Sequence, residues 1–345
     1  MEEITFQEFG STTVGKSLSD FDHLRITHST NIPPPIPIIT IAGEEISTAA
    51  NITTVSGGSK AGKSAFTGIV IAGAISTDGC IDGLEGVEVL PNTNKHAVIH
   101  IDTEQARHKQ QKNIRTILKR CGLTETPDYF LSYNIRKVEV NAALQLTKDI
   151  CEASCQKFGG IHLIVIDGIA DFIYDPNDTV SSFAIVKDFM DIAEEYNTTV
   201  LTVVHTNPQG GKERGNLGSQ LQRKSEGVIK IEKEGDLSYI TTKFLRGASE
   251  SSIPEIQYTY DRDKGYHVGC GYRVAPKKVS GRVVKITDAC NKVFNGLNSY
   301  TYAEAIMEIM KAESKSDRTA VTYFKEMRAH ELIVQGEDGR WRQSN

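Results

Sequence analysis

Cysteine is scarce and unpatterned in this chain of 345 residues: six cysteines, at 80, 121, 151, 155, 270 and 290, contain no C-x-x-C pair and no disulfide-scaffold spacing. Cys151 and Cys155 stand four apart on an expected helix, but no further Cys or His lies nearby to complete a metal site. Reduced core thiols are therefore expected. Long apolar runs are also missing, and none approaches the roughly 18 residues that a membrane span requires. The opening MEEITFQEFG is acidic and has neither the basic head nor the apolar stretch of a secretory signal. These shortages point to a cytoplasmic chain with no membrane partner. Internal repeats and low-complexity tracts are absent as well.

What is present is ordinary globular material, 39% hydrophobic and 24% charged, long enough for one large domain with an appendage or for two domains. The formal net charge of −5 argues mildly against nucleic acid, but it is unevenly spread. Residues 272–345 hold 13 Lys and Arg against 9 Asp and Glu, a surplus of four that leaves −9 on the rest. That asymmetry suggests a C-terminal module with its own partner.

The stretch Gly57-Gly58-Ser59-Lys60-Ala61-Gly62-Lys63-Ser64 fits the phosphate-binding pattern G-x-x-x-x-G-K-[ST] at every fixed position. Its flanks agree with it. Ile52 to Ser56 is β-branched and reads as a strand, and the run from Ala65 reads as a buried helix. Glycines allow consecutive N–H groups to curl around a phosphate, and the helix N-terminus adds partial positive charge. In such a loop, Gly57 to Ala65 would cradle ATP, Lys63 would reach the β- and γ-phosphates, and the Ser64 hydroxyl would hold Mg²⁺. Lys60 is not required by the pattern and either adds a γ-phosphate contact or is simply solvated.

Residues 1–32 are polar and mixed, an arm or a short helix that docks on a neighbouring subunit. The Pro-rich run at 32–37 should be extended and opens the first domain near residue 33. Residues 38–41 read as a strand, 43–45 as a turn and 75–94 as a loop. His96 to Asp102 is a strand that leads through Thr103-Glu104-Gln105 into a basic helix, Ala106 to Cys121. A β-branched stretch at 130–140 precedes a helix over about 141–157. Ile161 to Asp167 is apolar almost throughout, as an inner parallel strand is. A helix near 180–196 leads to a strand from Thr198 to Val204 that ends in His205-Thr206-Asn207. Four successive strands thus carry polar groups at their carboxyl ends, where open α/β sheets bind ligands. Residues 208–219 read as a mobile glycine-rich loop. Antiparallel strands are expected at 227–233, 238–246 and 255–260, with a hairpin turn at 234–236, and 272–290 as a linker or last strand pair. Helices at 302–312 and 317–329, then a hairpin over 332–342, are the parts of a winged helix-turn-helix.

With the P-loop, Glu104, Asp167 and His205 in this order, the chain resembles RecA-fold ATPases. Among these it is most similar to the ring-forming replicative helicase ATPases of the RepA and DnaB type, over roughly residues 35–270. The resemblance implies an α/β fold with a mostly parallel central sheet over residues 33–272. A linker would follow at 273–289 and a winged-helix domain at 290–345.

The resemblance also implies roles. Glu104 would activate the attacking water, Asp167 would hold Mg²⁺ with Ser64, and His205 would sense the γ-phosphate. Lys243 and Arg246 stand where the family carries the basic pair that reaches a neighbouring subunit. Their spacing is wider than usual, which leaves the identity of the finger open. A hexamer acting on single-stranded DNA is implied, with Lys212 and Arg214 in the channel loop, or solvated. Lys315, Arg318 and Thr322 of the second C-terminal helix would read duplex DNA, with Arg340 and Arg342 on the wing against phosphates. Winged helices also bind proteins, and Tyr323 and Phe324 fit a core equally well. The implied function is a DNA-dependent ATPase of plasmid, phage or mobile-element replication, with a primase or initiator as partner. A repair or loader ATPase without unwinding, and an ATP-switched DNA-binding regulator, stay open beside it.

Overall fold

The structure, a computed structural model, describes residues 17–78, 84–206, 215–273, 281–295 and 298–344. They fall into two compact units: one runs to Ile253 and takes in Gln257–Cys270, and the other comprises Pro254–Ile256 and the chain from Gly271 onward. No helix among the described residues is long and apolar enough to cross a membrane.

A short 3-10 helix, Leu18–Leu24, capped by Ser17, precedes the first unit's main elements. These are β1 (Pro37–Ile41), β2 (Glu44–Thr48), β3 (Ile52–Gly57), α1 (Lys63–Ile75), β4 (Val87–Val89), β5 (Ala97–Asp102), α2 (Arg107–Arg120) and β6 (Phe130–Asn134). Then come α3 (Val140–Phe158), β7 (Ile161–Asp167), α4 (Thr179–Glu195), β8 (Thr199–His205), α5 (Gly215–Lys224), β9 (Val228–Glu234), β10 (Leu237–Lys243), and β11 (Glu255–Asp261) and β12 (Tyr266–Arg273), of which the start of β11 and the end of β12 fall in the second unit. A nine-stranded sheet runs in the order β12-β11-β10-β9-β3-β8-β7-β5-β6. From β9 to β6 every neighbouring pair is parallel, as the intervening helices require. The turn after β9 returns the chain antiparallel as β10, where the sequence places a hairpin.

Alternation along the strands decides what faces what. Ile99, Ile101, Ile164, Ile166, Val200 and Val204 pack in one apolar core with residues of α3, α4 and α5. Successive strand residues point to opposite faces, so His100, Asp102, Asp167 and His205 emerge on the face where α1 lies. In register, Asp102 stands beside Asp167, and Gly57 beside His205. The polar strand ends are thereby gathered at one edge, next to the start of α1.

The inner strands are rich in threonine, and their hydroxyls bond one another. Thr53 Oγ1 donates to Ser47 Oγ at 2.8 Å, and Ser47 Oγ lies 2.6 Å from Thr199 Oγ1. Thr54 Oγ1 lies 3.0 Å from Thr202 Oγ1 and 2.7 Å from Ser225 Oγ. Threonine suits a strand through its branched Cβ, and mutual pairing satisfies hydroxyls that have no water.

Several expectations need correction. The loop read over 75–94 contains β4, whose Val87 and Val89 are buried on either side of exposed Glu88, and β4 pairs with β1 in a three-stranded sheet β2-β1-β4. Three residues are too few to show a period. The turn placed at 43–45 ends sooner, since Glu44 already belongs to β2. Residues 207–214, with Lys212 and Arg214, lie outside the described residues. Residues 215–219 begin α5, which buries Leu217 and Leu221 at helical spacing.

In the second unit, residues 281–289, read as linker or strand, open α6 (Gly281–Phe294). Ile286, Ala289, Cys290, Val293 and Phe294 recur at helical spacing and are buried with α7 (Tyr302–Glu313) and α8 (Asp317–Ala329). β13 (Ile333–Gln335) and β14 (Trp341–Gln343) form the hairpin, and Phe324 packs edge-on against Tyr302 and Trp341 at 5.0 and 5.1 Å.

Thr54→Val should lower the unfolding free energy of the first unit by about 1–3 kcal/mol, because the buried Ser225 hydroxyl loses its partner and Thr202 keeps only its longer bond to the Thr53 carbonyl. Urea unfolding with an unchanged m-value checks this.

Candidate active site

Lys63 opens α1 and is only 7% exposed. Its ammonium has three donors and finds three acceptors: the carbonyls of Gly57 at 2.8 Å and Gly58 at 2.9 Å, and His205 Nδ1 at 3.1 Å. An ammonium has no lone pair, so Nδ1 must accept, and the His205 proton sits on Nε2. That nitrogen lies 3.2 Å from both oxygens of Glu104 and donates to the carboxylate. Lys63, His205 and Glu104 thus form one polar chain across the ends of β8 and β5. Burial lowers the Lys63 pKa, against the opposing pull of Glu104 and Asp167. The His205 hydrogen bond holds the Glu104 carboxyl below its usual range, in spite of partial burial.

Glu104 is placed by its neighbours. Asp102 Oδ1 accepts the N–H groups of Glu104 at 3.0 Å and Gln105 at 2.8 Å, an Asx turn that ends β5. Thr103 Oγ1 donates to Asp171 Oδ2 at 2.7 Å. Gly168, directly after β7, has φ +108°, and a Cβ there would fall onto Thr103 Oγ1 and lie 3.0 Å from Glu104 Cγ. The sequence did not single out Asp102 or Asp171 for the site. The Asp two residues before Glu104 is the one available signal, as Asx turns use that spacing. Asp171 becomes a neighbour only through the pairing of β5 with β7.

The loop itself is held from behind. Ser238 Oγ donates to the Ala61 carbonyl at 2.9 Å and Tyr258 OH to the Gly62 carbonyl at 3.1 Å. Gly62 has φ +107°, and a Cβ would sit 2.8 Å from both hydroxyl oxygens, so only glycine fits. Lys60 is exposed in a left-handed conformation with φ +59°. Ser59 to Ala65 line a cavity of about 600 Å³ together with Glu104, Asp167 and His205. The structure therefore brings together the P-loop, Ser64, Glu104, Asp167 and His205. It does not bring Lys243 or Arg246 to that cavity. Lys243 pairs with Glu250 at 3.3 Å, and Arg246 donates to the carbonyls of Arg223 at 2.9 Å and Lys224 at 3.3 Å at the end of α5.

A family profile described as AAA domain matches residues 27–211, more than half of the chain. The chain belongs to the AAA-domain family. As an AAA-domain protein with an intact P-loop it is an ATPase. A comparison with curated proteins finds no match. A solved structure described as an ATPase domain is 14% identical, with a TM-score of 0.45, over 64% of this chain and 84% of that one.

The donor set of this AAA-domain protein fits a hard divalent cation. Polar atoms of His100, Asp102 and Asp167 lie within 4.8 Å of one another, and Asp102 Oδ2 is buried with no partner among the described residues. Burial, with Asp102 and Glu104 nearby, pushes the Asp167 carboxyl up to about 7. Crowded carboxylates of this kind are relieved by a cation, and oxygen ligands suit Mg²⁺. Asp167 and the exposed Ser64 hydroxyl both face the cavity.

In the second unit, Lys315 and Arg318 are exposed. Thr322 Oγ1 instead bonds back to the Arg318 carbonyl at 3.0 Å. Arg340 is held by Glu304 at 2.7 Å and Arg342 by Asp338 at 2.8 Å, so both wing arginines are paired within the chain. Phe324 is core, and Tyr323 packs against that core.

Gly168→Ala should cost about 1–3 kcal/mol of stability and lower turnover tenfold or more, since it displaces the Thr103-Glu104 turn; unfolding and steady-state ATPase assays read both. A second expectation concerns His100, whose pKa burial pushes down to about 4. Above its unfolded value of about 6.5, both states are neutral. As the pH falls from there towards 4, the unfolded chain takes up a proton that the folded chain does not, so up to about 3 kcal/mol of stability is lost in that window. His100→Gln should shrink the difference in unfolding free energy between neutral pH and the lower end of that range.

Proposed function

We propose that the chain is an ATP-driven, DNA-dependent motor of the replicative-helicase kind, working as a homo-oligomeric ring, a hexamer in the RepA manner. The observation that carries the reading is the Lys63–His205–Glu104 chain beside Asp167, on three strand ends facing one P-loop. A γ-phosphate-sensing histidine and a water-activating glutamate in direct contact suit a motor, because the state of the phosphate then reaches β8 and the segment after it.

In hydrolysis, the P-loop N–H groups and Lys63 bind the phosphates, with Lys63 exchanging the Gly57 and Gly58 carbonyls for phosphate oxygens. Glu104 accepts a proton from the water that attacks the γ-phosphate. His205 orients Glu104 by its Nε2–H bond. Ser64 and Asp167 would hold Mg²⁺, which supplies charge neutralisation on the phosphate oxygens. Lys243 and Arg246 lie outside their own cavity, and to act on a neighbouring copy they would exchange Glu250 and the α5 carbonyls for its phosphate oxygens. Single-stranded DNA would meet the segment with Lys212 and Arg214. The second unit, read as a winged helix, would present Lys315 and Arg318 to duplex DNA, with less help from the paired Arg340 and Arg342 than the sequence suggests. Plasmid, phage or mobile-element replication, with a primase or initiator, is the setting proposed.

Steady-state ATP hydrolysis with and without single-stranded DNA tests the reading. DNA should raise the rate several-fold, and Glu104→Gln should lower kcat by at least about 10² with nucleotide affinity kept. Turnover indifferent to DNA would remove the motor and leave an ATP-switched, duplex-binding regulator.

A further inference from the structure

We propose that Lys109, in the first turn of α2, is a catalytic residue that supplies positive charge to the terminal phosphate from within the same chain, across the cavity from Lys63. The proposal rests on the ATPase reading and adds a group that neither the P-loop pattern nor the strand ends contain.

Four observations lead to it. Lys109, Lys112, Asn113 and Thr116 all line the nucleotide cavity, and their spacing of three and four residues makes them one face of α2 turned towards it. That cavity is lined by five lysines (60, 63, 109, 112 and 233) against two carboxylates, Glu104 and Asp167, a surplus suited to a polyanion. Among the described residues, the exposed Lys109 side chain has no hydrogen-bond or ion-pair partner. Its charge favours the ionised forms of both Asp102 and Glu104, which fits a place on the Glu104 side of the cavity that it lines.

The local sequence makes little sense for the helix alone. The first turn of α2 carries Arg107, His108 and Lys109, has no acidic residue, and is preceded by Ala106, which offers no side-chain cap. Cations at a helix N-terminus oppose the macrodipole, so the arrangement weakens α2 unless an anion binds beside it. A terminal phosphate next to Glu104 is such an anion. Lys112 lies on the same face one turn further along, but the lysine charge that favours the ionised forms of Asp102 and Glu104 is that of Lys109, so Lys109 is the residue assigned. Charge placed there grows in value as the bond to the leaving group breaks, which is how a preorganised cation accelerates phosphoryl transfer.

Lys109→Ala and Lys109→Arg in the full chain test the assignment through kcat, KM and the affinity for Mg·ADP with and without aluminium fluoride. Lys109→Ala should lower kcat by about 10²–10³. It should leave Mg·ADP affinity within about threefold and weaken the aluminium fluoride complex by a factor like that on kcat. Lys109→Arg should recover part of the loss. A kcat within about threefold of the parent, or a loss that appears equally in Mg·ADP affinity, overturns the proposal. An unsubstituted chain that hydrolyses no ATP overturns the ATPase reading itself, whereas a normal parent with an unaffected Lys109→Ala counts against Lys109 alone.

Discussion

A buried ammonium organises this protein. Lys63 sits almost without solvent, and its three donors must each find an acceptor or cost the fold heavily. Two acceptors are carbonyls of its own loop and the third is the histidine at the end of β8. The ammonium thereby dictates the loop conformation, the tautomer of His205 and, through that proton, the orientation of Glu104. Glu104 and Asp167 in turn favour the charged lysine that burial disfavours. Each group makes sense only in the presence of the others.

Such a site needs a rigid frame, and the parallel sheet provides it. The register that sets Asp102 beside Asp167 and Gly57 beside His205 leaves no slack between the strand ends. A slip of one residue would turn every one of these side chains to the opposite face. The buried hydroxyls of Ser47, Thr53, Thr54, Thr199 and Thr202 oppose such a slip, because they are satisfied only in this alignment. The same frame holds the carboxylates of Asp102 and Asp167 close together, a repulsion that a divalent cation would relieve.

The second unit follows different rules. Its core is a meeting of three helices and a hairpin around Phe324, and its wing arginines are drawn into ion pairs with Glu304 and Asp338. Basic charge counted along a chain therefore overstates the charge available to a partner. Lys315 and Arg318 stay exposed, while Arg340 and Arg342 have partners.

Local rules made the P-loop, the order of polar strand ends and most of the longer helices and strands legible in the residues: glycines where the backbone must curl, and apolar periods of two or 3.6. They did not reveal β4, whose three residues carry no readable period, nor α6, whose apolar spacing lay within a basic stretch that read as linker. Tertiary structure alone decided that Asp171 stands against Thr103, that Arg246 closes the end of α5, and that Lys109 and Lys112 of α2 line the P-loop cavity. The first two pairings join residues 68 and 22 positions apart, and only the sheet order brings them together. Local pattern fixes which face of an element is apolar. The choice of which polar groups meet belongs to the register of the strands.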